Sequence, residues 1–553
     1  MRFTTTALLA IAAALVPSAQ AMAQEREESR EYRGESEAST QRIEVDPYIE
    51  VNQILFAELD PGNDVVTYTS VAAGIDTYID GRNTDASVSL RYERRIGYDD
   101  NGVDGDTISG IARASTAIVP RNVFVEAGAL ATRTSIEGNG ALSDSFGVLD
   151  DRSTQIYSAY AGPSLQGRVG DFQTEASYRF GYTKVEQQDV VTANPAIEPI
   201  DVFDESTVHA AQARIASRPG EALPVGVGVG SSFVQEDISN LDQRVRDFRV
   251  RGDVTVPVSS TVAVVGGIGY EDVEISSRDA VRDPETDAPL LGPDGRFVTD
   301  DGAPRTIAYE ADGLIWDVGV MWRPSRRTAA QAYVGRRYGS TSYWGSLSYQ
   351  PNTRTSLNVG VYDQVQGFGN QLTSTLADLP TNFRANRDPL TGDIFGCVGG
   401  TEGATCLSPA LASVRSGTFR SRGVGATYAR NLSRSSWGLG LGYDNREYIG
   451  AEGTVLAVAD GVVDENYWAS AFYNTQIDRR SSFNLNGYAN LFQSGFADDS
   501  ELVNIGSTAS YYRTLAAGLS ASAAVGIDGV LRDDELLEDL WTARAALGLR
   551  YTF

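Results

Sequence analysis

Residues 541–553 read WTARAALGLRYTF, and they alternate without a break. Trp541, Ala543, Ala545, Leu547, Leu549, Tyr551 and Phe553 fall on one side; Thr542, Arg544, Ala546, Gly548, Arg550 and Thr552 fall on the other. A period of two over this length is a strand with one apolar and one polar face. The pattern recurs upstream. Phe172, Thr174, Ala176, Tyr178, Phe180 and Tyr182 oppose Gln173, Glu175, Ser177, Arg179 and Gly181. Phe248, Val250, Val254 and Val256 oppose Arg249, Arg251, Asp253 and Thr255.

Alternation alone would also suit a soluble sandwich. The connections decide. One set is short and often basic, at 80–83, 120–122, 323–327, 430–436 and 478–481. The alternate set is mostly longer and rich in Asp, Glu, Gly and Pro, at 99–106, 137–152, 187–206, 276–307, 367–415 and 450–464. Short turns on one side and long loops on the other are the pattern of a transmembrane barrel. The expected fold is therefore all-β: an antiparallel up-and-down transmembrane β-barrel over residues 42–553, with periplasmic termini and extracellular loops near 137–152, 187–206, 276–307 and 367–415. Counting between connections gives about 22 strands, within an even range of roughly 18–22. Segment 338–354, which reads as two turns around one short strand, separates 22 from 20.

At the other end, Met1-Arg2 precedes an apolar run from Ala7 to Val16, and Ala21-Met22-Ala23 forms a small-x-small cleavage site. The run is too short to span a bilayer, so residues 1–23 read as a signal peptide. Residues 24–41 are charged and aperiodic and read as a disordered acidic periplasmic leader. With so short a leader, neither a large plug domain nor a passenger domain is expected ahead of the barrel. The net charge of −27 argues against a nucleic-acid partner.

A charged side chain facing lipid at mid-bilayer is costly, roughly 2–4 kcal/mol for Arg or Lys. On that ground Arg91, Glu93, Glu175, Arg179, Arg249, Arg251, Asp253, Arg544 and Arg550 are assigned to the lumen. Asn484, Asn486 and Asn490, on one face with Tyr488, join them as pore-lining residues able to hydrogen-bond sugars. Phe124, Trp322, Trp437 and Phe483 lie near short turns and predict a periplasmic girdle; Tyr98, Tyr182, Tyr270 and Tyr443 predict the outer one. Cys397 and Cys406 are the only cysteines, and an oxidising compartment predicts a disulfide pinching the longest loop. His209 is the only histidine and has no evident nucleophile or acid partner, so no catalytic residue and no enzyme activity are expected. The acidic run 99–106 lacks EF-hand spacing, and neither metal nor cofactor is expected. Residues 283–302 suit either a constriction in the lumen or a lid over the mouth.

The ending Tyr551-Thr552-Phe553 resembles the terminal signature of Gram-negative outer-membrane barrels, which implies that Tyr551 and Phe553 form the signal read by the barrel insertion machinery. With the signal peptide, the short leader, the Gly- and Tyr-rich strands and the turn RNLSRSSW at 430–437, the chain resembles the proteobacterial outer-membrane β-barrel porins often associated with exopolysaccharide export. The resemblance implies a place in the cell outer membrane among lipid and lipopolysaccharide. It implies a pore for a hydrophilic solute or polymer, with a polysaccharide or a periplasmic export protein as partner. The alternatives are a structural or adhesive surface barrel with a closed lumen and, more remotely, a barrel hydrolase.

Overall fold

The computed structural model describes residues 42–98, 104–136, 141–143, 153–187, 201–383, 385, 387–394, 397–400, 403–407, 410–496, 500–533 and 538–553. The signal peptide and leader lie outside the described residues, as do most of 137–152 and residues 188–200 of the 187–206 loop.

Twenty-two antiparallel wall strands run from Arg42–Asp60 to Leu540–Thr552, each paired with the next. The first also pairs with the last, Ile49 opposite Tyr551 and Leu55 opposite Ala545, so the sheet closes on itself. A further two-residue strand, Leu142–Ser143, pairs beside Ser135 and Ile136 and is not part of the wall. Closure leaves no strand of the ring without a neighbour on either side; an unpaired backbone group in hydrocarbon would cost several kcal/mol. Segment 338–354 divides into the strand Ser340–Asn352 and the turns that join it to Thr328–Arg337 and Thr355–Gln366.

The alternation read from the sequence sorts the two faces. On the first strand Ile49, Val51 and Leu55 are exposed, while Tyr48, Asn52, Ile54 and Phe56 are buried. Around the ring Phe248, Val254, Val318, Val320, Leu547 and Leu549 continue the exposed apolar row. Such a belt on the outside of a closed barrel is matched to lipid, and its bearer is an outer-membrane barrel of the Gram-negative type. Trp322 is on this outer face, and Trp437 shares it with Tyr428, ring centroids 5.0 Å apart. Phe124 does not. It stands opposite Ser164, whose hydroxyl donates to Glu126 inside the barrel, so Phe124 points inward and the neighbouring Val125 faces lipid. Nearness to a turn suggested the girdle; strand parity overrides it.

The interior is not empty. Much of the connection after Thr355–Gln366 folds into the barrel and supplies a hydrophobic core. Phe368, Leu372, Leu376, Leu379, Phe383, Ile394, Val398, Leu407, Leu411 and Val414 from it join Ile111, Leu130, Ile156, Tyr160 and Val185 from the wall. The 278–305 connection takes another course. Arg296 donates to the carbonyls of Val185, Val202 and Phe203, and Phe297 packs beside Leu241, Ala280 and Leu456, which lays this segment over the mouth.

Candidate functional site: the occluded lumen

The inserted connection begins with the helix Phe368–Ala377, sequence FGNQLTSTLA. Phe368, Leu372 and Leu376 recur every four residues and form one apolar face. All three are buried against the wall, and each contributes about 1.5–3 kcal/mol relative to exposure. The wall makes room at Gly181, where an added Cβ would come 2.9 Å from Cγ2 of Thr373. Gly367 precedes the helix and has no side chain to cap it. Glu236, on the wall strand Gly226–Ile238, does so instead: its carboxylate accepts from the backbone N–H of Gly367 at 2.8 Å, from that of Asn370 at 3.0 Å, and from Ser206 Oγ at 3.2 Å. A carboxylate there satisfies orphan donors and faces the positive end of the helix dipole.

Beyond the helix the chain is held by its backbone. Arg113 donates to the Leu379 carbonyl at 3.0 Å, and Ser87 Oγ to the Thr381 carbonyl at 2.9 Å. Arg387 reaches from the plug to Ser89 Oγ (3.1 Å) and Ser109 Oγ (2.7 Å) and also holds its own Gly392 carbonyl (2.7 Å). Arg133 pairs with Asp393 at 3.2 Å, and Thr508 donates to Asp388 at 3.1 Å. Leu390 packs among Ile54, Phe56, Tyr68 and Ala546. Burial raises the carboxyls of Asp378 and Asp393 above their ordinary range, outweighing Arg179 and Arg113 beside the first and Arg133 beside the second. These contacts tie the plug to wall strands from both ends of the chain.

The assigned lining residues all sit at inward positions, and several meet. Arg214 forks onto Asp253 at 2.7 and 2.9 Å; Arg251 then bridges Asp253 (2.9 Å) and Asp317 (2.6 Å twice). The result is a chain of alternating charge along the wall. Arg91 pairs with Glu93 at 2.8 Å and Glu50 at 2.9 Å. Arg544 binds Asp528, which also accepts from Tyr488 on the asparagine row at 3.1 Å. Arg550 pairs with Asp76 at 2.7 Å and lies 3.5 Å over the Tyr48 ring. Arg179 turns to the plug and donates to Ser374 at 2.9 Å. Arg249 faces inward between Asp247 and Arg251 along its strand, Asn490 is buried, Asn484 and Asn486 are half-buried, and Glu175 stands apart, exposed on the inner face. Pairing within the wall is what low-dielectric surroundings demand of charges held there.

Sequence reading missed Glu236, Arg113, Arg133, Asp317, Asp528 and Arg387. Asp317 and Asp528 were within reach of the same parity rule. The partners of the plug were not, since nothing local shows that a polar loop will turn inward. Its one signal was the Phe368, Leu372, Leu376 spacing.

The other residues singled out by the sequence lie elsewhere. In the plug, Cys397–Gly400 pairs with Gly403–Cys406, Cys397 opposite Cys406, and Cys406 is disulfide-bonded. His209 faces outward: Tyr178 Oη and His209 Nδ1 share a hydrogen bond of 2.8 Å, and Phe180 lies 5.3 Å away by ring centroids. It belongs to the aromatic rim, outside the lumen. Tyr551 and Phe553 contact edge to face at 5.1 Å, both exposed on the outer surface.

No protein-family model matches the sequence, and no curated protein matches it. Among solved structures, similarity is found to the FrpB iron transporter of Neisseria meningitidis (F5-1 variant, apoprotein), with 10% identity, TM-score 0.42, and coverage of 92% of this chain and 81% of that one. The open form of the ferric-catecholate import receptor Fiu of E. coli K12 gives 9%, 0.42, 92% and 82%. The siderophore receptor PiuA of Acinetobacter baumannii gives 7%, 0.41, 91% and 82%.

Proposed function

We propose that this barrel carries hydrophilic solutes across the outer membrane and that its own 367–417 connection is the gate. The observation that supports this reading is the plug itself. A 22-stranded wall encloses far more space than its side chains fill, and here part of the remainder is packed with a segment of the chain's own long connection. The charge-paired wall and the asparagine row form the polar surface that plug displacement would expose. Selectivity would then rest on the Arg214, Asp253, Arg251 and Asp317 series. A polysaccharide is one hydrated polymer that such a lining accepts; Asn484, Asn486 and Tyr488 offer the hydrogen bonds and ring face it requires.

A permanently closed structural barrel is the second reading, favoured by the apolar core that joins plug to wall. Solute flux separates the two. Proteoliposomes bearing the mature protein, and a variant with residues 378–394 replaced by a short Gly-Ser link, are to be compared for entry of monosaccharides and graded oligosaccharides. Slow entry into the parent, faster in the variant and falling with solute size, supports a gated path. A parent that admits nothing, whether or not the variant does, would leave only the structural reading.

A further inference from the structure

The wall has a notch. The strand Thr306–Ser325 spans 20 residues, whereas the next, Thr328–Arg337, spans ten. Along one edge Thr306 to Trp322 pairs with Val262–Ser277, but on the other edge pairing begins only at Trp316 opposite Arg336. Among the described residues, 307–315 therefore has no partner on that side. Beyond the hairpin, Thr355–Gln366 is likewise unpaired past Val361 on its facing edge. The gap is two strands wide, about 14 Å from three spacings of about 4.8 Å.

Its position and chemistry limit what can fill it. The outward residues Glu310 and Asp312 are exposed at the rim, and Leu314 and Trp316 below them begin the lipid belt. Behind the gap lies a cavity of about 930 Å³ that Tyr309, Tyr338, Arg420, Arg422, Glu447 and Asp460 help to line. Arg420 is already committed to Asp363 at 2.7 Å and Ser340 at 2.5 Å, and Arg422 lies between Asp363 (3.6 Å) and Glu447 (4.0 Å). Carboxylates outnumber the cations that remain. A free strand edge is a template for another strand unless blunted by proline, lysine or a cover. The sequence TIAYEADGLI at 306–315 carries neither proline nor lysine; its only guards are the acidic Glu310 and Asp312, which a basic strand would neutralise, and a one-residue register shift at Ala308. Gly313, φ +143°, lies within this edge, just past the stretch 307–312.

We infer that the notch captures an extended basic segment of a partner polypeptide approaching from outside, added as a strand along residues 307–312. Its main chain pairs with the free edge, its Lys or Arg side chains on one face meet Glu310 and Asp312, and the alternate residues enter the cavity. The inference stands apart from the transport reading, because no residue of the 367–417 plug lines this cavity.

The test uses the refolded full-length barrel and a fluorescein-labelled octapeptide of alternating Lys and Thr, followed by anisotropy. Saturable binding is expected, weakened on the order of tenfold by the double substitution Glu310→Lys, Asp312→Lys. The same peptide carrying N-methyl groups on alternate backbone amides should not bind, and this arm leaves the protein unaltered. Absence of binding, or equal binding by the N-methylated peptide, would overturn the inference. So would a dimer that pairs through the same edge and excludes the peptide.

Discussion

Glu236 on the wall accepts a 3.0 Å hydrogen bond from the backbone N–H of Asn370 in the plug, and with its bond from Gly367 N–H it caps the helix Phe368–Ala377. One side chain thus connects a rigid element to the segment that fills the lumen. Glu236→Ala should loosen the helix start by about 0.5–2 kcal/mol, the usual worth of a lost N-cap. In planar bilayers this is expected as more frequent openings, with the heat-modifiable fold of the wall unchanged.

The plug should close more firmly in acid. Asp378 and Asp393 have carboxyls raised by burial, as does Asp201, which accepts from Ser416 and Asn240 at the mouth. A carboxyl raised in the folded state binds its proton more readily there than in the released chain, so lowering the pH favours docking. That contribution is complete below the unfolded carboxylate pKa and is lost as pH rises through the folded value. Open probability should therefore fall as pH is lowered through the window just above the ordinary carboxylate range. Asp393→Asn should flatten part of that dependence.

Reduction should affect the plug and spare the wall. The bond at Cys406 closes a short hairpin whose Val398 and neighbouring Leu407 are buried in the internal core. A cross-link across a loop of this size removes roughly 2–3 kcal/mol of unfolded-chain freedom. Treatment with dithiothreitol, or Cys397→Ser with Cys406→Ser, should speed proteolytic nicking in this segment while the thermal transition of the barrel stays put.

The ion chain of the wall should set charge preference once the plug is out. Arg251 holds both Asp253 and Asp317, and Arg251→Ala leaves Asp317 without its two 2.6 Å bonds. In the plug-shortened background, reversal potentials in a KCl gradient are expected to move toward cation selectivity. No movement would detach this series from the conduction path.

Much of this was legible in the chain. The alternation at 541–553 and 172–182 sorted lipid from lumen because a period of two leaves each strand only two ways to face, and a misplaced arginine is costly. Arg251 and Asp253 could be assigned inward by parity, yet their partners Arg214 and Asp317 depend on which strands become neighbours. The short hairpin around Ser340–Asn352 was ambiguous because its turns flank a strand half polar on both sides. Phe124 sits beside a turn, yet it shares strand parity with Glu126 and Leu130 and so faces inward. The plug was least legible: Arg387 and Asp393 look like ordinary loop charges until the wall residues Ser89, Ser109 and Arg133 are brought opposite them.

The most direct measurement is single-channel conductance of the refolded mature protein beside a variant lacking residues 368–412. If the inserted connection closes the lumen, the parent is silent or opens briefly, and the variant conducts steadily with the large unitary steps of a 22-stranded ring. Equal conductance in the two proteins, at any level, would contradict the account.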